Sequence, residues 1–250
     1  MAVAGTLDLR GVGKTYHVNG QPLPVLHNIN LTVEPGSFVA IVGASGCGKS
    51  TLLRLVIGLD DADGGDILLD GTPIRGPGLE RGIVFQEHRL LPWLTVEQNV
   101  GLGLEASRIP AADKRRSVQE HIDLVGLGGF EKAYPHQLSG GMSQRAAIAR
   151  GLVNRPEILL LDEPLGALDS LTRAYLQDEL RRIQAQEGVT MLMVTHDVEE
   201  AVYLADTVVV MEPRPGRIRR AVTVDLPHPR DRASADFTAV KDEILKELSR

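Results

Sequence analysis

Four short apolar runs, Phe38–Val42 (FVAIV), Gly82–Phe85 (GIVF), Ile158–Leu161 (ILLL) and Thr190–Val194 (TMLMV), each stop at residues that carry chemistry. They are too short for helices and lack polar alternation, the pattern of strands buried on both faces of a parallel sheet. The first runs into GASGCGKST, the second into Gln86, the third into Asp162-Glu163 and the fourth into His196. In open α/β sheets, ligands bind outside the carboxyl ends of the strands. Four strand ends bearing polar groups therefore point to one functional edge. Helical segments at Ser50–Ile57, Ala146–Val153 and Ala174–Gln186 lie between the runs, and strand alternating with helix predicts a doubly wound α/β core.

Two regions break the alternation. Residues 1–35 read as strands joined by turns at Asn19-Gly20 and Glu34-Pro35-Gly36, which predicts an N-terminal antiparallel β-sheet against the core. From about Leu94 to Gln137 the chain is richer in helix formers and charge, with a break at Gly126–Gly129. An inserted helical subdomain is expected there, at about 94–150, with the core at about 1–93 and 151–250 of a single domain. After Met211, RPGRIRR predicts a hairpin turn at Pro215-Gly216, followed by a strand and a helix over about Ser234–Leu248.

Charge and composition narrow the partners. The net charge is −6 and the densest basic run is Lys114–Arg116, so the electrostatic footprint of a nucleic-acid binder is missing. The start, MAVAGTLDLRGVGKTY, lacks the charged and apolar regions of a signal peptide, and no apolar run approaches the ~20 residues of a membrane-spanning helix. The single cysteine, Cys47, rules out an internal disulfide and fits a reducing, cytoplasmic setting.

GASGCGKST, Gly43–Thr51, matches the phosphate-loop pattern G-x-x-x-x-G-K-[S/T] in the context that pattern requires, after a strand and opening a helix. Its glycines let successive N–H groups turn inward around phosphates. Lys49 supplies a cation for the terminal phosphates and the Ser50 hydroxyl a ligand for Mg²⁺. The phosphate-binding set is Gly43, Ala44, Ser45, Gly46, Cys47, Gly48, Lys49, Ser50 and Thr51. A plain glycine-rich turn is the competing reading, and the strand and helix on either side disfavour it.

Asp162, at the end of ILLL, sits where a phosphate-loop protein holds Mg²⁺, and Glu163 is positioned to polarise a water for attack on a γ-phosphate. Without the loop, a solvated acidic pair would be the better reading. Gln86 can ligate Mg²⁺ or orient water, and His196 can hydrogen-bond a phosphate oxygen. The stretch LSGGMSQRAAIAR, Leu138–Arg150, opens a helix with Ser139 as N-cap, and Gly140 and Gly141 leave its first N–H groups unobstructed for an anion.

GASGCGKST, Gln86, LSGGMSQR, LLLDEP, Ala167-Leu168-Asp169 and Thr195-His196-Asp197 occur in the order and spacing of an ABC transporter ATP-binding subunit, which the chain resembles over nearly its whole length. The resemblance implies a P-loop (RecA-like) ATPase core using ATP and Mg²⁺. By it, Glu163 is the catalytic carboxylate, Gln86 links the metal to the transport subunits, and His196 touches the γ-phosphate. Lys49 completes the catalytic set, while Ser50, Gln86 and Asp162 hold the metal. Asp169 stands at the dimer interface and Tyr16 stacks on adenine, with a surface-strand tyrosine as the competing reading of Tyr16. The resemblance also implies a head-to-tail homodimer in which Ser139, Gly140 and Gly141 of one chain cap the γ-phosphate bound by the other.

HRLLPWLTVEQNVGLGLE, LGALDSLTR and RPGRI resemble the nitrate/sulfonate/taurine importer ATPases. This implies integral membrane permease subunits, a solute-binding protein and a peripheral site on the cytoplasmic face of a bacterial-type inner membrane. An exporter or lipid-trafficking ATPase, or a non-transport ABC ATPase, is the alternative. A phosphate-loop kinase would leave LSGGMSQR unexplained. Leu90, Leu91, Pro92 and Trp93 read either as core of the helical subdomain or as a cleft that receives a permease helix. Ser143 departs from the family, which mostly carries Arg, Lys or Gln there, and Ser143→Arg is expected to change ATP-driven dimerisation only a few-fold.

Overall fold

The computed structural model describes residues 4–249. These residues form two compact units, one of residues 5–78 with 190–249, the other of Ala4 with 79–189.

In the first unit, β1 (Leu7–Val18) and β2 (Gln21–Val33) form an antiparallel hairpin with Val18 opposite Gln21. Asn19 and Gly20 close it with φ of 52° and 77°, the doubly left-handed turn for which Asn-Gly is the preferred pair. The chain then enters β3 (Phe38–Gly43), buried at every position, and passes through the glycine loop into α1 (Lys49–Ile57). β4 (Gly64–Leu69) and β5 (Thr72–Pro73) return to the hairpin, giving an antiparallel sheet in the order β2-β1-β4-β5.

The second unit begins with β6 (Arg81–Val84) and is mostly helical: α2 (Val96–Gly101), α3 (Ala111–Leu124) and α4 (Gly140–Leu152) precede β7 (Ile158–Asp162), and α5 (Ser170–Glu187) follows it. α2 starts with a reciprocal cap in which Thr95 Oγ1 accepts from Gln98 N and Gln98 Oε1 from Thr95 N. β6 and β7 pair in parallel, Arg81 opposite Ile158. A Cβ on Gly82 would lie 2.3 Å from the Gly151 carbonyl, so the end of α4 is seated directly on β6 through a glycine.

The chain re-enters the first unit with β8 (Thr190–Thr195), α6 (Val198–Leu204), β9 (Thr207–Glu212), β10 (Arg217–Thr223) and α7 (Ala235–Leu248). β3 pairs in parallel with β8 on one side and β9 on the other, and β10 runs antiparallel to β9. β3, with a neighbour on each side, and β8 are both buried at every position, which accounts for FVAIV and TMLMV lacking polar alternation. The turn between β9 and β10 contains Pro215 and Gly216, and Ser234 caps α7 by accepting from Phe237 N, as the sequence predicts.

α4 begins at Gly140 behind the Ser139 cap, as the sequence predicts, whereas α5 begins at Ser170, earlier than the expected Ala174, because Asp169 caps it. Among the described residues, no helix is long and apolar enough to cross a membrane.

Candidate functional site

The glycine loop of the first unit is shaped by its backbone. Gly46 and Gly48 have φ of 79° and 97°, values open to glycine at little cost. Ala44, Ser45 and Gly46 are exposed and Cys47 is buried. The loop is held from behind: a Cβ on Gly43 would meet Cys47 Sγ and the Met211 carbonyl at 2.7 Å, and one on Gly216 would meet the Cys47 carbonyl at 2.1 Å. The buried Lys49 lays its ammonium along the loop, donating to the carbonyls of Gly43 (2.7 Å) and Ala44 (3.2 Å). Ser50 and Thr51 follow in the first turn of α1, with the Ser50 side exposed. Gly48 caps α1 without any side-chain acceptor, and no acidic residue lies in that first turn. A cation beside a helix start that has no side-chain cap is a donor set suited to phosphate.

Tyr16 leaves β1 half-buried, with its hydroxyl donating to Asp60 Oδ2 at 2.6 Å. Lys14, two residues earlier, donates to Asp60 Oδ1 (2.8 Å) and the Asp61 carbonyl (2.6 Å), with its ammonium 5.2 Å from the Tyr16 ring centroid. The Lys14 hydrogen bond, then the Tyr16 one, holds the Asp60 carboxyl below the usual range, and Asp60 in turn raises Lys14. Neither Lys14 nor Asp60 stood out in the sequence; for Lys14 the available signal was its period-two spacing from Tyr16 on a strand. His196, at the end of β8, is exposed, and the chain beside it is braced by Thr195 Oγ1 donating to Glu200 Oε2 (2.5 Å) and by Asp197 capping α6 through Glu200 N.

In the second unit, β7 delivers Asp162 and Glu163, both half-buried, at its carboxyl end. Glu163 has φ of 46°, a left-handed conformation uncommon for a non-glycine residue, and strain of this kind concentrates at functional positions. Its carbonyl accepts from Gly166 N in a tight turn. Gln86 Nε2 and Glu163 Oε2 each lie 3.8 Å from the point a Cβ on Gly166 would occupy, so the amide and the carboxylate converge on one spot.

α4 starts at an exposed Ser139 whose Oγ accepts from Met142 N at 3.3 Å. Gly140 is exposed, whereas Gly141 is buried and packed on α5: a Cβ there would lie 2.5 Å from Thr172 Cγ2. Thr172 is a third position that sequence reasoning missed, since nothing in the local pattern marks it. Asp169 accepts from Leu171 N (3.1 Å) and Thr172 N (3.0 Å) as the cap of α5, and the Thr172 N–H is the first cause of its lowered carboxyl pKa. A cavity of about 320 Å³ opens beside Ser139, lined by Arg145, Leu171, Thr172 and Tyr175 among others, with Leu171 83% exposed. Ser143 is buried, 3% exposed.

Residues 26–166 match the family model described as ABC transporter. An aliphatic sulfonates import ATP-binding protein of Bacillus licheniformis is 50% identical over 243 residues, 97% of this chain and 94% of that protein. An uncharacterised ABC transporter ATP-binding protein of Methanocaldococcus jannaschii is 50% identical over 250 residues, again 97% and 94% of the two chains. Among solved structures, a dimeric ATP-binding cassette in a post-hydrolysis state with ADP and Pi superposes with a TM-score of 0.77 at 32% identity, covering 88% of this chain and 100% of that one. cbiO1 of Clostridium perfringens, part of an ABC transporter complex, gives 0.78 at 30% identity over 87% of this chain and 88% of that one. Phosphate loop, strand-end carboxylates, serine-capped glycine helix and similarity across nearly the full length converge: the chain belongs to the ABC transporter family of ATP-binding proteins.

Proposed function

We propose that this chain is the ATP-hydrolysing subunit of a membrane importer for aliphatic sulfonates or similar small anions such as nitrate and taurine. It works as a homodimer on the cytoplasmic face of the membrane, bound to separate permease subunits and supplied by a solute-binding protein. The observation that carries the reading is 50% identity to an aliphatic sulfonates import ATP-binding protein spread over 97% of the chain. Likeness confined to the phosphate loop would support nucleotide binding alone.

In this reading the phosphates of ATP lie along Gly43–Thr51, where the uncapped start of α1 and the Lys49 ammonium offer donors. Ser50, Gln86 and Asp162 hold Mg²⁺, whose chemistry is to neutralise charge between the phosphates. Glu163 polarises the attacking water and His196 hydrogen-bonds the γ-phosphate; the convergence of Glu163 and Gln86 near Gly166 supports pairing base and metal ligand. Tyr16 takes the base. Ser139, Gly140, Gly141 and Asp169 of a second copy complete the site, supported by the exposed Leu171 and Tyr175 beside Ser139, a rim that a second copy would cover. Residues 94–150 form the helical subdomain of a single ATPase domain. Leu90 is buried while Trp93 is 69% exposed, so the tryptophan is available to a permease helix.

The complex purified from host membranes and reconstituted in vesicles with its solute-binding protein tests this. An alkanesulfonate should stimulate ATP hydrolysis. Glu163→Gln should still form ATP-dependent dimers while hydrolysis falls by about 100-fold or more. Indifference to alkanesulfonate, taurine and nitrate alike would discard the substrate class. A Glu163→Gln chain that binds MgATP yet stays monomeric would discard the two-chain site.

A further inference from the structure

Tyr16, Lys14 and Asp60 form a compact group that the proposed chemistry uses only through the tyrosine ring. They come from two elements: Lys14 and Tyr16 stand on β1, and Asp60 lies two residues past Gly58, the C-cap of α1. α1 is the same nine-residue helix that begins with Lys49. Both Asp60 oxygens are used, one by the tyrosine hydroxyl at 2.6 Å and the other by the lysine ammonium at 2.8 Å. Hydrogen bonds with a charged partner are the stronger class. The Thr51 side chain, in the first turn of α1, also reaches the tyrosine hydroxyl. The tip of the ring is therefore tied to the phosphate-loop helix near its start and beyond its end.

We propose that Asp60 is a positioning residue for nucleotide binding: with Lys14 it fixes the Tyr16 ring relative to the phosphate loop, so that base and phosphates meet a pre-set span. The proposal rests on the reading of Tyr16 as the base's stacking partner. The Lys14 ammonium, 5.2 Å from the ring centroid and only 8% exposed, takes up one face of the ring by cation–π attraction. A base is left the opposite face of a half-exposed ring. Burial, followed by the Asp60 hydrogen bond, raises the phenol pKa, while the lysine hydrogen bond lowers that of Asp60. Donor and acceptor thus keep their roles at neutral pH. Without the bracket, the ring would have to be ordered when nucleotide binds, and affinity would carry that cost.

Stacking on an aromatic ring is base-tolerant, so the bracket acts on ATP and GTP alike and on nothing that lacks a base. Inorganic tripolyphosphate, which meets the loop alone, is the control. Dissociation constants for ATP, GTP and tripolyphosphate are measured on the full chain for wild type, Tyr16→Ala, Tyr16→Phe, Asp60→Asn and the Tyr16→Phe/Asp60→Asn pair. Tyr16→Ala should weaken both nucleotides about ten- to a hundredfold. Tyr16→Phe and Asp60→Asn should each weaken them about three- to tenfold, with the pair no worse than the worse single variant. Tripolyphosphate binding should stay unchanged throughout. Additive losses in the pair, wild-type ATP affinity in Asp60→Asn, or a parallel loss of tripolyphosphate binding would each overturn the proposal. Wild-type ATP affinity in Tyr16→Ala would instead overturn the reading of Tyr16. If Asp60→Asn fails to fold, Lys14→Gln makes the same test: a loss for nucleotides and none for tripolyphosphate supports the bracket, and no loss for nucleotides refutes it.

Discussion

The helices α1 and α4 both have glycine at their start, and they open differently. α1 is preceded by Gly48 at φ 97°, with no side chain accepting from its first turn. α4 is preceded by an extended Ser139 whose hydroxyl accepts from Met142 N. The first helix start has no side-chain cap; at the second, Ser139 accepts one N–H of the first turn. Their glycines answer different needs as well. Gly48 is required by a left-handed backbone that also lies 2.6 Å, at a would-be Cβ, from Leu26 Cδ2. Gly141 is helical and is required by the closeness of Thr172 on α5. One glycine shapes a loop, and the other lets two helices touch.

Substitution can break that contrast. The largest effect is expected from Gly48→Ala, because a left-handed alanine costs about 1–2 kcal/mol before any collision is counted. ATP affinity should fall at least about tenfold, and Leu26→Ala in the same chain should not restore it; restoration would mean that space, not backbone conformation, sets the need for glycine. Gly141→Ala should be intermediate. ATP binding to the single chain should persist while hydrolysis falls several-fold, about the effect of 1–2 kcal/mol of overpacking. Thr172→Ser, which removes the colliding methyl and keeps the hydroxyl, should recover most of the loss. A Gly141→Ala enzyme that Thr172→Ser leaves unimproved would sever the link between α4 and α5 drawn here. The smallest effect on folding is expected from Ser139→Ala, which removes a cap worth about 1 kcal/mol, read as a shift in the urea midpoint at constant slope. No shift would show that α4 does not depend on its cap.

Much of this was legible in the residues. The buried strands appear as apolar runs, and the glycine loop, the serine cap and the Asn19-Gly20 turn declare themselves by residue types with few other uses. What escaped depends on groups meeting from distant parts of the chain. Asp60 reads as one of several aspartates in a surface turn until the fold brings Tyr16 and Lys14 to it. The demand on Gly141 comes from α5 lying against α4, and neither that contact nor the burial of Ser143 is revealed by periodicity within α4. The left-handed backbone of Glu163 is likewise invisible, since glutamate gives no sign of favouring it.

The pairing of β3 has a consequence for synthesis. Among the described residues, the strand that leads into the phosphate loop has β8 and β9 as its ladder partners, Phe38 opposite Met191 and Gly43 opposite Met211. The turn that backs the loop arrives later still, at Gly216. A ribosome therefore completes the whole GASGCGKST motif long before making the strands that hold it, and ordering must wait for contacts of high sequence separation. A nascent chain halted before β8 carries every residue of the phosphate loop but neither of the strands that pair with β3, so the bracing of the loop is completed only near the end of translation.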